Sequence, residues 1–267
     1  MGLKYDKNAS TTQIEKRMTI DMVGTSETSS GITFGAKLRL RSNEPAAGQG
    51  IAGARVYMQT SGFELAMGNI DGAIESMPNL YSPSVGLTGL GWQGLVTNTT
   101  VNRFAWDSYS STGNGAEGIE AIYSAGAFTG HVSYSEPTLS SGASAQKRAA
   151  AYGAYTMNDW TVALGVQKSS VAAEDKVVLT VGGNVGDYGV GIGFADNDGT
   201  KKIALNGSAT FGATTVSAFI ADEDTAGADL AIGLGASYDL GGAKVVGGVE
   251  RGATGNTRAD LGVSFSF

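Results

Sequence analysis

The chain has 267 residues, 42% of them hydrophobic, with 41 Gly, 4 Pro and no Cys. The missing cysteine excludes a disulfide framework, a zinc–thiolate site and a thiol nucleophile, and so little proline excludes collagen and Pro-rich disorder. A formal net charge of −7 argues against a nucleic acid partner, because phosphate contacts need a basic face.

No run approaches the ~20 apolar residues of a membrane-crossing helix. A membrane barrel stays open, because its strands alternate and average near neutral. In chain order, the first predicted strand covers 1–7 and the second 13–24, where Met18, Ile20 and Met22 face away from Arg17, Thr19 and Asp21. In the third, 31–42, Ile32, Phe34, Ala36, Leu38 and Leu40 alternate with Thr33, Gly35, Lys37, Arg39 and Arg41. Strands at 50–60 and 62–69 follow. The stretch 70–116 then breaks the rhythm, with Pro78, Pro83, many glycines and no sustained alternation, and reads as one long insertion. A weak alternation of Val101, Arg103, Ala105 and Asp107 is the alternative of a seventeenth strand, which would put Phe267 on the wrong side.

The remaining strands are predicted at 117–125, 127–137, 146–156, 159–169, 175–185, 187–196, 201–211, 213–222, 228–240, 243–251 and 257–267, sixteen in all. Runs of about ten residues suit a tilted membrane strand better than the usual ~5–6 of a soluble sheet. Minimal links (61–62, 124–126, 212–213, 241–242) rotate with longer polar ones (SNEPAAGQ, PTLSSGASAQ, SSVAAED, DNDGT, DEDTAGAD, ATGN). The expectation is one domain over 1–267: an all-β, sixteen-stranded antiparallel transmembrane β-barrel with a long loop folded into its lumen. MGLKYDK is too short to span ~25 Å at ~3.3 Å per residue, so either the natural N-terminus is longer or the barrel closes with a ragged seam. The chain closes on LGVSFSF, a strand with Leu261, Val263, Phe265 and Phe267 on one face, which predicts a lipid cover.

Several pieces, in order along the chain, carry a resemblance: MVGTSETSSGITFGAKLRLR at 22–41, GNIDGA at 68–73, YSAGAF at 123–128, FGATTV at 211–216, AIGLGASYDLGGAKVVGG at 231–248 and ADLGVSFSF at 259–267. Together they resemble the general diffusion porins of purple bacteria, the Rhodobacter/Rhodopseudomonas type. The resemblance implies a bacterial outer-membrane location, a homotrimer, passage of ions and small hydrophilic solutes, and a third loop forming the constriction. Contacts with outer-membrane lipid and lipopolysaccharide are implied too, with Phe267 as the terminal aromatic read by the assembly machinery. The family's first strand starts several residues before Met1, a departure at the seam.

A diffusion pore needs a hole of fixed size and a field across it. Lumen parity groups Arg17, Lys37, Arg39, Arg41 and Arg55 into a basic wall on adjacent strands, which a water-filled lumen can solvate and a packed core cannot. Asp71 and Glu75, at the start of the insertion, are expected to form the opposite wall, with Arg103 and Asp107 in the same loop. Trp160, Tyr188, Tyr238, Phe128 and Phe267, near strand ends on the apolar parity, suit aromatic girdles at two membrane interfaces. No cofactor is required. Asp196, Asp198, Asp222, Glu223 and Asp224 form acidic loops that read as tight turns, with weak structural Ca²⁺ binding as the alternative, since the distal Glu of an EF-hand is missing. The lone His131 shares the luminal parity of Ser133 and Ser135, but residues two apart on a strand lie ~7 Å apart, too far for direct proton transfer. A barrel enzyme is thus disfavoured, and a plugged structural or receptor-type barrel is the alternative to an open pore.

Overall fold

The structure is a computed structural model that describes residues 1–44, 49–90, 95–99, 105–136 and 146–267. Its strands are β1 (Gly2–Asp6), β2 (Thr11–Glu27), β3 (Thr33–Glu44), β4 (Gly50–Ile51), β5 (Arg55–Thr60), β6 (Phe63–Asn69), β7 (Glu117–Ala125), β8 (Phe128–Ser135) and β9 (Arg148–Met157). They continue as β10 (Trp160–Ser169), β11 (Lys176–Val185), β12 (Tyr188–Asn197), β13 (Thr200–Phe211), β14 (Thr214–Glu223), β15 (Ala231–Asp239), β16 (Ala243–Arg251) and β17 (Thr257–Phe265). β4 and β5 both pair with β3 and are two pieces of one barrel strand, so the wall is the expected sixteen-stranded one. The break falls where Ala52 bridges to Gly113 and the Gly53 N–H donates to the Gly113 carbonyl, so the far end of the long loop is stitched into the wall.

Each strand pairs antiparallel with the next, and β1 closes the ring by pairing with both β17 and β2. Closure removes sheet edges, which lipid does not tolerate. The seam is ragged: β1 has 5 residues between the 17 of β2 and the 9 of β17.

The outward face is apolar along its whole circuit; Leu164, Val166, Leu179, Leu205, Leu234 and Leu261 are all exposed. Apolar side chains turned outward on strands that alternate with a buried inner face are the pattern of a lipid-facing wall. The five predicted girdle aromatics are exposed, but all five lie at the short-turn end, joined there by Phe34, Phe63, Tyr123, Tyr155, Phe211 and Phe265. The band at the loop end is sparser and is formed by other residues, with Tyr5, Tyr134 and Phe194 exposed near the loop ends of β1, β8 and β12.

The buried apolar cluster lies inside the ring. Ile74, Met77, Leu80, Val85, Leu90, Leu95, Val96 and Trp106 of the 70–116 segment pack on Ala154, Ala163, Val178, Ala195, Ala204, Phe219, Ala221 and Ala231 of the inner wall. Small wall residues are what let the segment lie flat. A Cβ on Gly193 would overlap Leu95, and one on Gly248 would stand 2.6 Å from the Gly86 nitrogen. The DNDGT link, counted among the longer ones, closes as the tight turn expected of it. Asn197 pairs with Thr200, and Asp198 and Gly199, at φ 52° and 93°, make a two-residue turn, as the Asp-Gly preference for left-handed hairpin turns explains.

Candidate functional site

Register places the basic residues on one face. Arg17 stands opposite Asn43, Thr19 opposite Arg41, Asp21 opposite Arg39, and Lys37 lies between Val23 and Arg55. Directly opposed residues share a face, so Arg17, Lys37, Arg39, Arg41 and Arg55 all point inward. Their partners divide them. Arg39 is bidentate to Asp21 at 2.6 and 3.0 Å and donates to the Ser111 hydroxyl at 3.2 Å. Arg55 is buried among three carboxylates, Glu64 at 2.6 Å, Glu120 at 2.6 Å and Asp71 at 3.2 Å. By contrast, Arg41 donates to the Thr19 hydroxyl at 3.3 Å and Arg17 to the Asn43 side-chain Oδ1 at 3.2 Å, both neutral groups.

The loop meets this wall in two places. Asp71 lies 3.8 Å from Lys37, with its carboxylate about one-third exposed. Tyr109 places its ring 4.2 Å from the Lys37 ammonium and 5.2 Å from the Arg39 guanidinium, a cation–π arrangement. Burial raises the Tyr109 hydroxyl pKa, so it stays a neutral phenol at the wall.

Glu75 does not join Asp71 there. It accepts hydrogen bonds from the Tyr81 hydroxyl and from Trp106 Nε1 at 2.7 Å, which makes it a tie within the loop. Asp107 is buried and pairs with Arg148 at 3.2 Å, beside Glu174, which Arg148 also holds at 2.8 Å. Arg103 lies outside the described residues.

The acidic turn residues are dispersed. Asp196 accepts the Gly199 N–H at 2.7 Å, and Asp222 and Asp224 are exposed on the outward parity. Glu223 turns inward and accepts the Thr99 N–H at 3.0 Å and its hydroxyl at 2.9 Å. No three carboxylates or imidazoles gather as a metal site among the described residues. Phe267 is 93% exposed beyond the end of β17.

The buried carboxylates that anchor the loop were missed. Glu120 on β7 accepts the Asp71 and Gly72 N–H groups at 3.2 and 2.9 Å and meets His131 Nε2 at 3.0 Å. Asp260 on β17 accepts the Leu87 and Thr88 N–H groups at 2.8 and 2.6 Å and the Thr88 hydroxyl at 2.7 Å. Lys202 donates to the Thr97 carbonyl at 2.6 Å, Asn197 to the Leu95 carbonyl at 2.8 Å and Gln167 to the Ala105 carbonyl at 2.8 Å. The available signal was a charge or amide at inward parity on strands remote from the basic wall. His131 is fully buried under the loop and edge-on to Tyr152, while the Ser133 hydroxyl accepts the Ala73 N–H, so neither lines an aqueous wall.

A closed antiparallel barrel, apolar outside, with a loop packed inside against one arc and charges lining the other, defines a membrane channel. A family model described as Gram-negative porin matches residues 1–260. The porin of Fuscovulum blasticum is 32% identical over 280 residues, covering 100% of this chain and 96% of that protein. The porin of Rhodobacter capsulatus is 30% identical over 303 residues, covering 100% and 97%. Among solved structures, a triple mutant of the Rhodopseudomonas blastica porin superposes with a TM-score of 0.86 at 30% identity, covering 100% of this chain and 96% of that one.

The chain belongs to the Gram-negative porins, outer-membrane barrels through which ions and small hydrophilic solutes diffuse passively. Within them it is closely related to the Rhodobacter and Rhodopseudomonas type. It is a channel and not an enzyme, and its passage is lined by charged residues joined in ion pairs.

Proposed function

We propose that the constriction is formed by Arg17, Lys37, Arg39 and Arg41 on the wall, facing Asp71 and Tyr109 on the 70–116 loop, and that it favours small anions. One observation carries the reading: among the described residues, Arg17 and Arg41 have only neutral hydrogen-bond partners, while the carboxylates at this wall are engaged by Arg39, Arg55 and Lys37. The surplus at the neck is therefore positive. Arg55 and Asp107 belong to the loop's anchorage, and Glu75 to its internal bracing. The barrel acts as one unit over 1–267, with 70–116 as its constriction loop.

Family likeness supports a homotrimer in the outer membrane, with lipopolysaccharide around it and Phe267 as part of the signal read by the assembly machinery. The acidic turns act as turns, without Ca²⁺.

The test is single-channel conductance in a planar bilayer, with the reversal potential under a salt gradient. Stepwise openings in groups of three with an anion-selective reversal are expected, and Arg17→Gln with Arg41→Gln should abolish the anion preference. A folded protein that inserts and never opens would replace this reading with a plugged barrel.

A further inference from the structure

A hollow opens beside the neck. Between the tip of the 70–116 loop, its returning leg and the link from β16 to β17 lies a chamber of about 640 Å³, a size that suits a small organic molecule. The tip residues 87–89 and the returning residues 97–99 line it, with Arg17 from β2 and Arg258 from β17. Both legs are pinned from behind. Asp260 holds Leu87 and Thr88, while Lys202, Asn197 and Glu223 hold Thr97, Asn98 and Thr99. The chamber is therefore preformed, and no carboxylate lines it among the described residues. Its two cations differ. Glu250 takes up Arg258, whereas Arg17 donates only to the neutral Asn43 among the described residues. Ser84 and Thr254 add exposed hydroxyls to the lining. The Thr97 hydroxyl is buried with no hydrogen-bond partner, and leaving such a group unpaired is costly.

We propose that this chamber binds a polyhydroxylated organic anion of the sugar-acid class and delivers it to the neck. Register sets the orientation. Arg258 stands opposite Asp6, and Asp6 opposite Thr11, so Arg17 lies further along β2 toward the short-turn end, by ~20 Å of strand at ~3.3 Å per residue. One cation is thus at the outer end of the chamber and the other at the neck. Because Glu250 balances Arg258, the carboxylate of the solute seats on Arg17, where one guanidinium meets both oxygens. The hydroxylated tail runs outward toward Thr254 and Arg258, along the hydroxyls of Ser84 and Thr97. Simpler occupants fit less well. A fatty carboxylate would leave Thr97 unpaired and set its methylenes against polar groups, and a neutral sugar would leave Arg17 without a counter-charge. The role of the site in permeation rests on the anion-favouring neck; its binding does not.

The test is isothermal titration of the folded chain in detergent with gluconate as the probe. Beside it stand hexanoate, which keeps the carboxylate and loses the hydroxyls, and glucose, which keeps hydroxyls and loses the charge. Gluconate should bind about tenfold more tightly than either, because a site built for hydroxyls and an anion rejects an analogue lacking one of them. Arg17→Gln should cost gluconate about tenfold and leave glucose unchanged. Thr97→Val should bring gluconate close to hexanoate. Ser84→Ala with Thr254→Val, at two exposed side chains, should narrow the same gap without disturbing packed residues. Equal affinities for gluconate and hexanoate would overturn the proposal, and so would glucose binding as tightly as gluconate. No binding by a chain that conducts anions in a planar bilayer would remove the site and keep the neck. Gluconate binding by a chain that inserts and never opens would keep the site and remove the neck.

Discussion

Five inward cations look alike in the sequence, yet they do different work. Arg55 sits among three carboxylates with its side chain 6% exposed, and Glu120 beside it has none exposed. Removing one partner of a buried pair strands the other charge, at a cost of about 3–5 kcal/mol. Arg55→Gln should lower the unfolding free energy by that order in a urea titration, whereas Arg41→Gln, whose partner is the Thr19 hydroxyl, should stay within ~0.5 kcal/mol. Equal losses would contradict the division between anchor and pore wall. Asp107 supplies a pH test. Burial pushes its carboxyl above the ordinary 3.8, against the Ser135 hydrogen bond and the pull of Arg148. Burial acts the same way on Glu174, but hydrogen bonds from Arg148 and Ser169 outweigh it and hold that carboxyl below 4.5. As pH rises from 3.8 to the raised pKa of Asp107, the unfolded chain ionises there before the folded one does. Stability from this residue therefore falls across that window and is flat above it, while the Glu174 contribution is lost only as pH falls through its lowered pKa. The difference in unfolding free energy between wild type and Asp107→Asn, followed against pH, should show this decline. A rise would mean that the fold holds Asp107 ionised.

Elements differ in how far a local pattern determines them. The strands were legible because a period of two needs only a lipid outside and a loop or water inside; Val162, Leu164 and Val166 of β10 show it, and their predicted faces hold. The basic wall was legible for the same reason. What the pattern could not say was where the 70–116 loop would lie, because that rests on pairings remote in sequence, such as Leu95 over Gly193 and Thr88 on Asp260. Glu75 looked like a second pore carboxylate because a loop acid carries no parity, and only its contact with Trp106 shows its role. The five aromatics named for two girdles all fell at one end, because aromatic content at a strand end does not say which end it is. Asp260 is the sharpest test of the loop's placement. One carboxylate takes three hydrogen bonds at the loop's turn, and charged bonds of that kind contribute about 1.5–3 kcal/mol each before compensation. Asp260→Ala should leave the barrel folded, with unchanged far-ultraviolet circular dichroism, and make the open-channel current noisier as the tip fluctuates. A quiet channel of unchanged conductance would show that the apolar contacts hold the loop without it.

At the scale of the molecule, the net charge and the proposed neck have opposite signs. The chain carries −7, which would make a uniformly charged pore prefer cations. Charge acts on a permeating ion through distance, however, and the screening length is about 10 Å at 0.1 M salt and about 3 Å at 1 M. Carboxylates such as Asp222 and Asp224 are exposed at the loop end, while others, such as Glu120, Glu223 and Glu250, are buried against their own partners. An ion in the neck feels Arg17, Arg41 and Lys37 at contact range and the outer carboxylates only through salt. The two contributions therefore separate with ionic strength. Near 1 M the reversal potential should report the neck alone and show a small anion preference. Diluting toward 0.1 M lets the acidic mouth repel incoming anions, so the preference should shrink or change sign. Arg17→Glu with Arg41→Glu should make the pore cation-selective at every salt concentration, and more so as salt falls. If wild type grows more anion-selective on dilution, the mouth is not acting and the neck sets the field at all ranges. If it is cation-selective even at 1 M, Asp71 and Asp21 dominate the neck, and the surplus assigned to Arg17 and Arg41 is wrong.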